Sequence, residues 1–290
     1  MSSVVIDFHT HVFPPWLRER RDEYAMTDPC FSLLYSQPRA RMATAEELLA
    51  SMDDAGIDLS VMLNIGWVSH DLCVRTNDYI MDAMARHPTR LIGFCAVQPV
   101  AGDAAVAEIE RCAKAGARGV GELRSDIQGF DLADEGLMKP ITDAAVQHDL
   151  VLLTHASEPV GHQYPGKGAL TPDILYSFIL GFPNLRLVCA HWGGGLPFYA
   201  LMPEVAKALA GVYFDTAATV FLYEPRVFDQ VSSILGSSKI LFGTDYPLLD
   251  QDRVVGQVRS SQLPEDAKRA ILGDNARTLL SLDNGSQNVR

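Results

Sequence analysis

The sequence predicts an α/β protein built as a (β/α)8 TIM barrel. Three observations predict it. Short apolar runs recur eight times, with amphipathic stretches between them. Most of those runs are continuous rather than alternating, as in parallel strands buried on both faces. Histidines and carboxylates stand at their ends: His9, His11, Glu122, His155, His191 and Asp245. In such a barrel the C-terminal ends of all strands converge on one mouth, so residues far apart in sequence can share one ion. A doubly wound open sheet is the alternative. Eight strand–helix repeats favour the barrel.

Strands are expected near residues 4–9, 59–65, 91–97, 118–122, 150–155, 185–191, 212–215 and 239–244. Residues 12–43 follow the first and hold Pro14, Pro15, Trp16, Pro29, Phe31, Tyr35 and Pro38. That is too long for a plain strand-to-helix connection, and it reads as a loop over the barrel mouth. Thr44-Ala45-Glu46-Glu47 is a capping box that opens a helix ending at Gly56. Asn77 to His87 is amphipathic and closes at Pro88, and Asp103 to Gly116 and Asp134 to His148 repeat the period. Residues 156–173 form a second long loop after a ligand-bearing strand. Leu263-Pro264-Glu265-Asp266 starts a terminal helix, with proline and acids in its first turn. One domain over 1–282 and a polar tail over 283–290 result.

The net charge of -12 argues against nucleic acid and against an anionic membrane surface. The N-terminus lacks the basic and apolar regions of a secretory signal, and no apolar run reaches the roughly 18 residues of a membrane span. The five cysteines are odd in number and make no CxxC pair, which suits reduced thiols in a cytoplasmic protein.

His9 and His11 are two apart on a strand, so their side chains share a face. Asp245 ends the eighth strand, the neighbour of the first in a closed barrel. His155 and His191 end the fifth and sixth. Imidazole and carboxylate suit a divalent ion, zinc first and manganese second. A lone strand-end histidine is more often structural. Four of eight histidines at such positions, with Asp245, make a metal site the better reading. His70, His87 and His148 read as structural residues of loops and helix ends.

Asp7-Phe8-His9-Thr10-His11, Ala190-His191-Trp192-Gly193-Gly194-Gly195-Leu196-Pro197, Phe242-Gly243-Thr244-Asp245-Tyr246-Pro247 and Asn275-Ala276 resemble the amidohydrolase superfamily. The resemblance spans nearly the whole chain. It is nearest to the group with aminocarboxymuconate-semialdehyde decarboxylase and γ-resorcylate decarboxylase. It implies His9, His11, His155 and Asp245 as metal ligands. It implies that His191 polarises substrate or holds a second ion. It also implies a homodimer, since related barrels often pair. Glu122, in Gly119-Val120-Gly121-Glu122-Leu123-Arg124, departs from the decarboxylase pattern. In this one position the chain is similar to the TatD-type deoxyribonucleases, where a glutamate bridges two metals. Pairing of Glu122 with Arg124 or Lys167 as a structural salt bridge is the plain alternative.

A full six-ligand set, with one or two ions per chain, predicts a barrel of the metal-dependent hydrolase type. It would cleave a C–N or C–O bond of a small molecule through metal-activated water. Asp245 would move protons, and His191 would steady the developing oxyanion. Non-oxidative decarboxylation of a carboxylated aromatic or muconate-like acid is the second reading. Arg124 and Lys167 predict an anionic substrate, and His162 and Trp192 complete the expected substrate wall. Gly193-Gly194-Gly195 lacks the lysine and spacing of a phosphate loop and reads as backbone passing close to the site.

Overall fold

The computed structural model describes residues 4–282. Eight parallel strands follow one another in sequence order. They are β1 (Ile6–His11), β2 (Leu59–Leu63), β3 (Leu91–Cys95), β4 (Gly119–Leu123), β5 (Val151–Thr154), β6 (Leu187–Cys189), β7 (Val212–Asp215) and β8 (Ile240–Leu241). Phe8 N donates to Phe242 O at 2.8 Å, Asp245 N to His9 O at 2.9 Å and His11 N to Tyr246 O at 2.7 Å. These bonds tie the chain after β8 to β1 and close the barrel. The eighth strand is shorter than expected. Regular strand pairing stops at Leu241, and Asp245 sits at a left-handed φ of 66°.

The continuous apolar runs fill two layers. Ile6, Phe8, Val61, Phe94, Leu153 and Leu241 pack inside the barrel. Strand residues facing outward, such as Met62, Cys95, Val120 and Leu152, pack against helix residues such as Leu48, Ile80, Ile109 and Ile141. The capping box forms as read. Thr44 Oγ1 accepts from Glu47 N, Glu47 accepts from Thr44 N, and Gly56 ends the Ala45–Ala55 helix in the left-handed region. The second helix begins earlier than expected, at His70, because Ser69 caps it. His70 is therefore a helix residue and not a loop residue.

The segment 12–43 is also more ordered than a loop. It forms three short helices, Pro15–Glu19, Arg21–Thr27 and Pro29–Tyr35. Asp28 caps the third by accepting from Phe31 N, with Pro29 in the first helical position. Phe13, Leu17, Tyr24, Phe31 and Trp67 form a small core of their own, with Phe31 and Trp67 stacked at 5.5 Å. The mouth beside β1 and β2 therefore has a packed wall. Residues 156–171 stay irregular before the Pro172–Gly181 helix. The expected polar tail over 283–290 lies outside the described residues. Among the described residues no helix is long and apolar enough to cross a membrane. All five cysteines are buried and unpaired.

Candidate metal centre

β1 brings His9 and His11 together, with their Nε2 atoms 3.0 Å apart. His11 Nε2 lies 3.2 Å from Asp245 Oδ1, and His9 Nε2 lies 3.9 Å from the same oxygen. The left-handed backbone at Asp245 is what aims its carboxylate back across the mouth. On the other side of His9, the Nδ1 hydrogen goes to Asp215 Oδ2 at 2.8 Å. Asp7 braces this corner from beneath. It accepts from Thr244 Oγ1 at 2.6 Å and from Gln251 Nε2 at 2.7 Å, linking β1 to the chain after β8.

β4, β5 and β6 deliver the second group. Glu122 Oε1 accepts from His155 Nδ1 at 2.9 Å and lies 3.5 Å from His191 Nε2. Its other oxygen is 3.9 Å from His11 Nε2. Glu122 thus pairs with histidines and not with Arg124 or Lys167. Ligand atoms of His9, His11 and Glu122 lie within 4.8 Å of one another, and so do those of Glu122, His155 and His191. The two groups share Glu122. His191 sits at φ 54° and Trp192 at φ 57°, and three left-handed glycines follow. The close passage expected of that glycine run is real. A Cβ on Gly194 would meet Ser157 O at 2.3 Å.

The donor chemistry fits a divalent cation. Two imidazole nitrogens about 3 Å apart match adjacent ligands on one ion with bonds of about 2.1 Å. Burial pushes the His155 imidazolium down, Arg124 adds to that, and its pKa falls to about 4. The ring is therefore neutral at neutral pH, as a ligand must be. Burial pushes the Glu122 and Asp245 carboxyls up. The histidines around them outweigh it and hold both well below the usual carboxylate range. Burial would depress His9, but the Asp215 carboxylate, helped by Glu122 and Asp245, raises it to about 10. The buried carboxylates thus demand a positive charge, which His9 carries in the metal-free protein. A bound cation meets the same demand with His9 neutral.

The other expected site residues separate. Arg124 is only 1% exposed, and its Nη2 donates to Gly166 O at 2.6 Å. Its Nε has no hydrogen-bond partner and lies 3.6 Å from Asp126 Oδ1. It influences His155 electrostatically and stays a candidate substrate contact. Trp192 does not line the mouth. It is fully buried against Phe228, and its indole N–H donates to Thr219 Oγ1 at 2.8 Å. The left-handed turn sends it into the core while its neighbour His191 faces Glu122. Lys167 Nζ binds the carbonyls of Val160 and His162, tying its own loop. His162 is exposed and packs on Tyr164 at 5.4 Å. Neither is brought to the ligand cluster.

Sequence reasoning passed over Asp215 and Ser157. Asp215 ends β7 and obeys the strand-end rule that picked out the ligands. Ser157 Oγ lies 3.1 Å from His155 Nε2. Its signal, a hydroxyl two residues beyond a ligand, was weak.

Against known proteins, residues 6–282 match the family model described as amidohydrolase. A 2-amino-3-carboxymuconate-6-semialdehyde decarboxylase of Dictyostelium discoideum is 24% identical, over 97% of this chain and 92% of its own. A γ-resorcylate decarboxylase of a Polaromonas species is 21% identical, over 80% of this chain and 86% of its own. The crystal structure of a 5-carboxyvanillate decarboxylase of Novosphingobium aromaticivorans holds manganese and 4-hydroxy-3-methoxy-5-nitrobenzoic acid. It superposes with a TM-score of 0.81 at 19% identity, over 97% of both chains.

These matches correct the expectation of hydrolysis. The two relatives named above, matched over 97% and 80% of this chain, are decarboxylases, so the six-residue set by itself does not mark a hydrolase. Glu122 had carried that preference. A carboxylate placed between two histidine groups serves to gather positive charge, and that need is the same whichever bond is broken. With a family match that runs from β1 to the end of the described chain, the protein belongs to the amidohydrolase family.

Proposed function

We propose that the chain is a metal-dependent, non-oxidative decarboxylase of a carboxylated aromatic or muconate-like acid. The observation that carries the reading is the match to a decarboxylase over 97% of the chain. The ligand cluster and the buried Arg124 guanidinium beside it support it. His9, His11, Glu122, His155 and Asp245 would hold a divalent ion. When bound, the ion supplies a Lewis acid that orients substrate oxygens and spreads the charge left on the conjugated system. Manganese in the related structure and the imidazole–carboxylate donor set support Mn2+ or Zn2+.

The chain's own residues then have distinct tasks. Arg124 presents a fixed fork to an anionic group of the substrate. His191 binds the Ala217 carbonyl through Nδ1, at 3.2 Å, so its Nε2 is the atom that can pass a proton into the mouth. His191 gives that proton to the carbon bearing the carboxylate. The C–C bond then breaks, its electron pair restores the conjugation, and CO2 leaves. Asp245 is the poorer acid, because its carboxyl is held ionised. The packed wall of residues 12–43 keeps water from the charged intermediate.

The test is CO2 release by the manganese-loaded protein from a panel of hydroxybenzoates and carboxymuconate-type acids. The reading predicts release that chelation stops and His191→Asn lowers at least about a hundredfold. No release from any member by protein that holds its metal would overturn it.

A further inference from the structure

Asp215 closes β7 and is fully buried. Its two oxygens reach different parts of the site. Oδ2 accepts from His9 Nδ1 at 2.8 Å. Oδ1 accepts from His191 N at 2.9 Å and from Ala217 N at 3.1 Å. The Ala217 carbonyl in turn lies 3.2 Å from His191 Nδ1. One carboxylate therefore fixes the ring of one ligand and the backbone of the residue read as the acid. His191 has reason to be held, because its φ of 54° is one that non-glycine residues seldom adopt.

The tautomer of His9 follows from this contact. A neutral imidazole has one N–H. When His9 is neutral, a carboxylate accepting at Nδ1 keeps the hydrogen there and leaves the Nε2 lone pair facing His11 and Asp245. An ion needs that lone pair, and outer carboxylates of this kind raise ligand basicity. We propose that Asp215 is a positioning residue that sets His9 as an Nε2 ligand and, through the same carboxylate, keeps His191 in register with it. The inference rests on the metal-centre reading. It goes further by assigning metal affinity to a side chain that is not itself one of the ion-binding groups.

Asp215→Asn is the informative change because it keeps the shape. The amide oxygen can still accept from His191 N and Ala217 N. The amide N–H then faces His9 Nδ1, which must become the acceptor. The ring hydrogen moves to Nε2 and blocks the ligand atom. Asp215→Ala removes the acceptor without imposing a donor, and it carries the test if the asparagine variant does not fold.

The probe is Mn2+ titrated into metal-free protein, with free ion counted by electron paramagnetic resonance and cooperative melting checked beforehand. The expected result is a cooperative melt and a Mn2+ affinity about 10–100-fold below wild type. Affinity within twofold of wild type in a folded variant would overturn the inference. So would failure of both variants to fold, which would make Asp215 part of the scaffold. A wild type that binds no Mn2+ would overturn the metal-centre reading itself, and this inference with it.

Discussion

Gly194→Ala tests whether the turn after β6 is what positions the site. Gly194 has a φ of 60°, and an added Cβ would lie 2.3 Å from Ser157 O and 2.7 Å from Ser157 C. Those are backbone atoms, so no rotamer change relieves the clash. The left-handed conformation alone costs alanine about 1–2 kcal/mol. Displacing a packed backbone adds about 1–3 kcal/mol. The sum is about 2–5 kcal/mol of stability. Gly56 is the control, since its φ is 67° and nothing lies within 4 Å of an added Cβ. Gly56→Ala should cost only the conformational part, about 1–2 kcal/mol. The displacement also reaches the ligands, because Ser157 Oγ contacts His155 Nε2 at 3.1 Å and accepts from Gly168 N at 2.9 Å. Urea unfolding of the two metal-free variants measures the stability difference, and Mn2+ titration measures the damage to the site. Gly194→Ala should lose more stability than Gly56→Ala and also lose Mn2+ affinity. Equal stability losses with unchanged affinity would refute the reasoning.

Glu122→Gln removes the charge shared by both histidine groups. Mn2+ affinity should fall at least about tenfold with the fold retained, and an unchanged affinity would return Glu122 to a purely structural role. Asp7 is buried, and desolvation raises its carboxyl from 3.8 to about 6 despite four hydrogen bonds. A raised folded-state pKa means stability present at low pH and lost as pH rises from about 4 to 6, by about 3 kcal/mol. Asp7→Asn lacks that titration, so the stability of wild type relative to it should decline across this window. A pH-independent difference in denaturation midpoints would contradict the assignment. Arg124→Lys keeps the charge but loses the planar fork. KM for a carboxylated substrate should rise more than kcat falls, and an unchanged KM would make Arg124 a scaffold residue.

Much of this was legible in the chain. All eight strands announced themselves as apolar runs, most of them continuous because both faces are covered. The Thr44–Glu47 box located a helix start to the residue. The His9, His11, Glu122, His155, His191 and Asp245 cluster was readable because strand ends converge wherever a barrel closes. The three helices within 12–43 were not, since segments of five to seven residues show too little periodicity to stand out from a proline-rich loop. Trp192 was misplaced because adjacency to His191 says nothing about side-chain direction once the backbone turns left-handed. Asp215 was passed over although it ends a strand, because its role depends on a bond to a residue 206 positions away. The reaction was the least legible feature. The same histidines and carboxylates hold a cation equally well for hydrolysis and for decarboxylation.

The central claim is that this site replaces a carboxylate by a proton. Its most direct test is the turnover of an accepted acid by manganese-loaded protein in deuterated, 18O-labelled water, followed by nuclear magnetic resonance and mass spectrometry. The account predicts one deuterium at the carbon that lost its carboxylate, CO2 in equal amount, and no 18O in the organic product. A product that carries 18O with no CO2 released would contradict it.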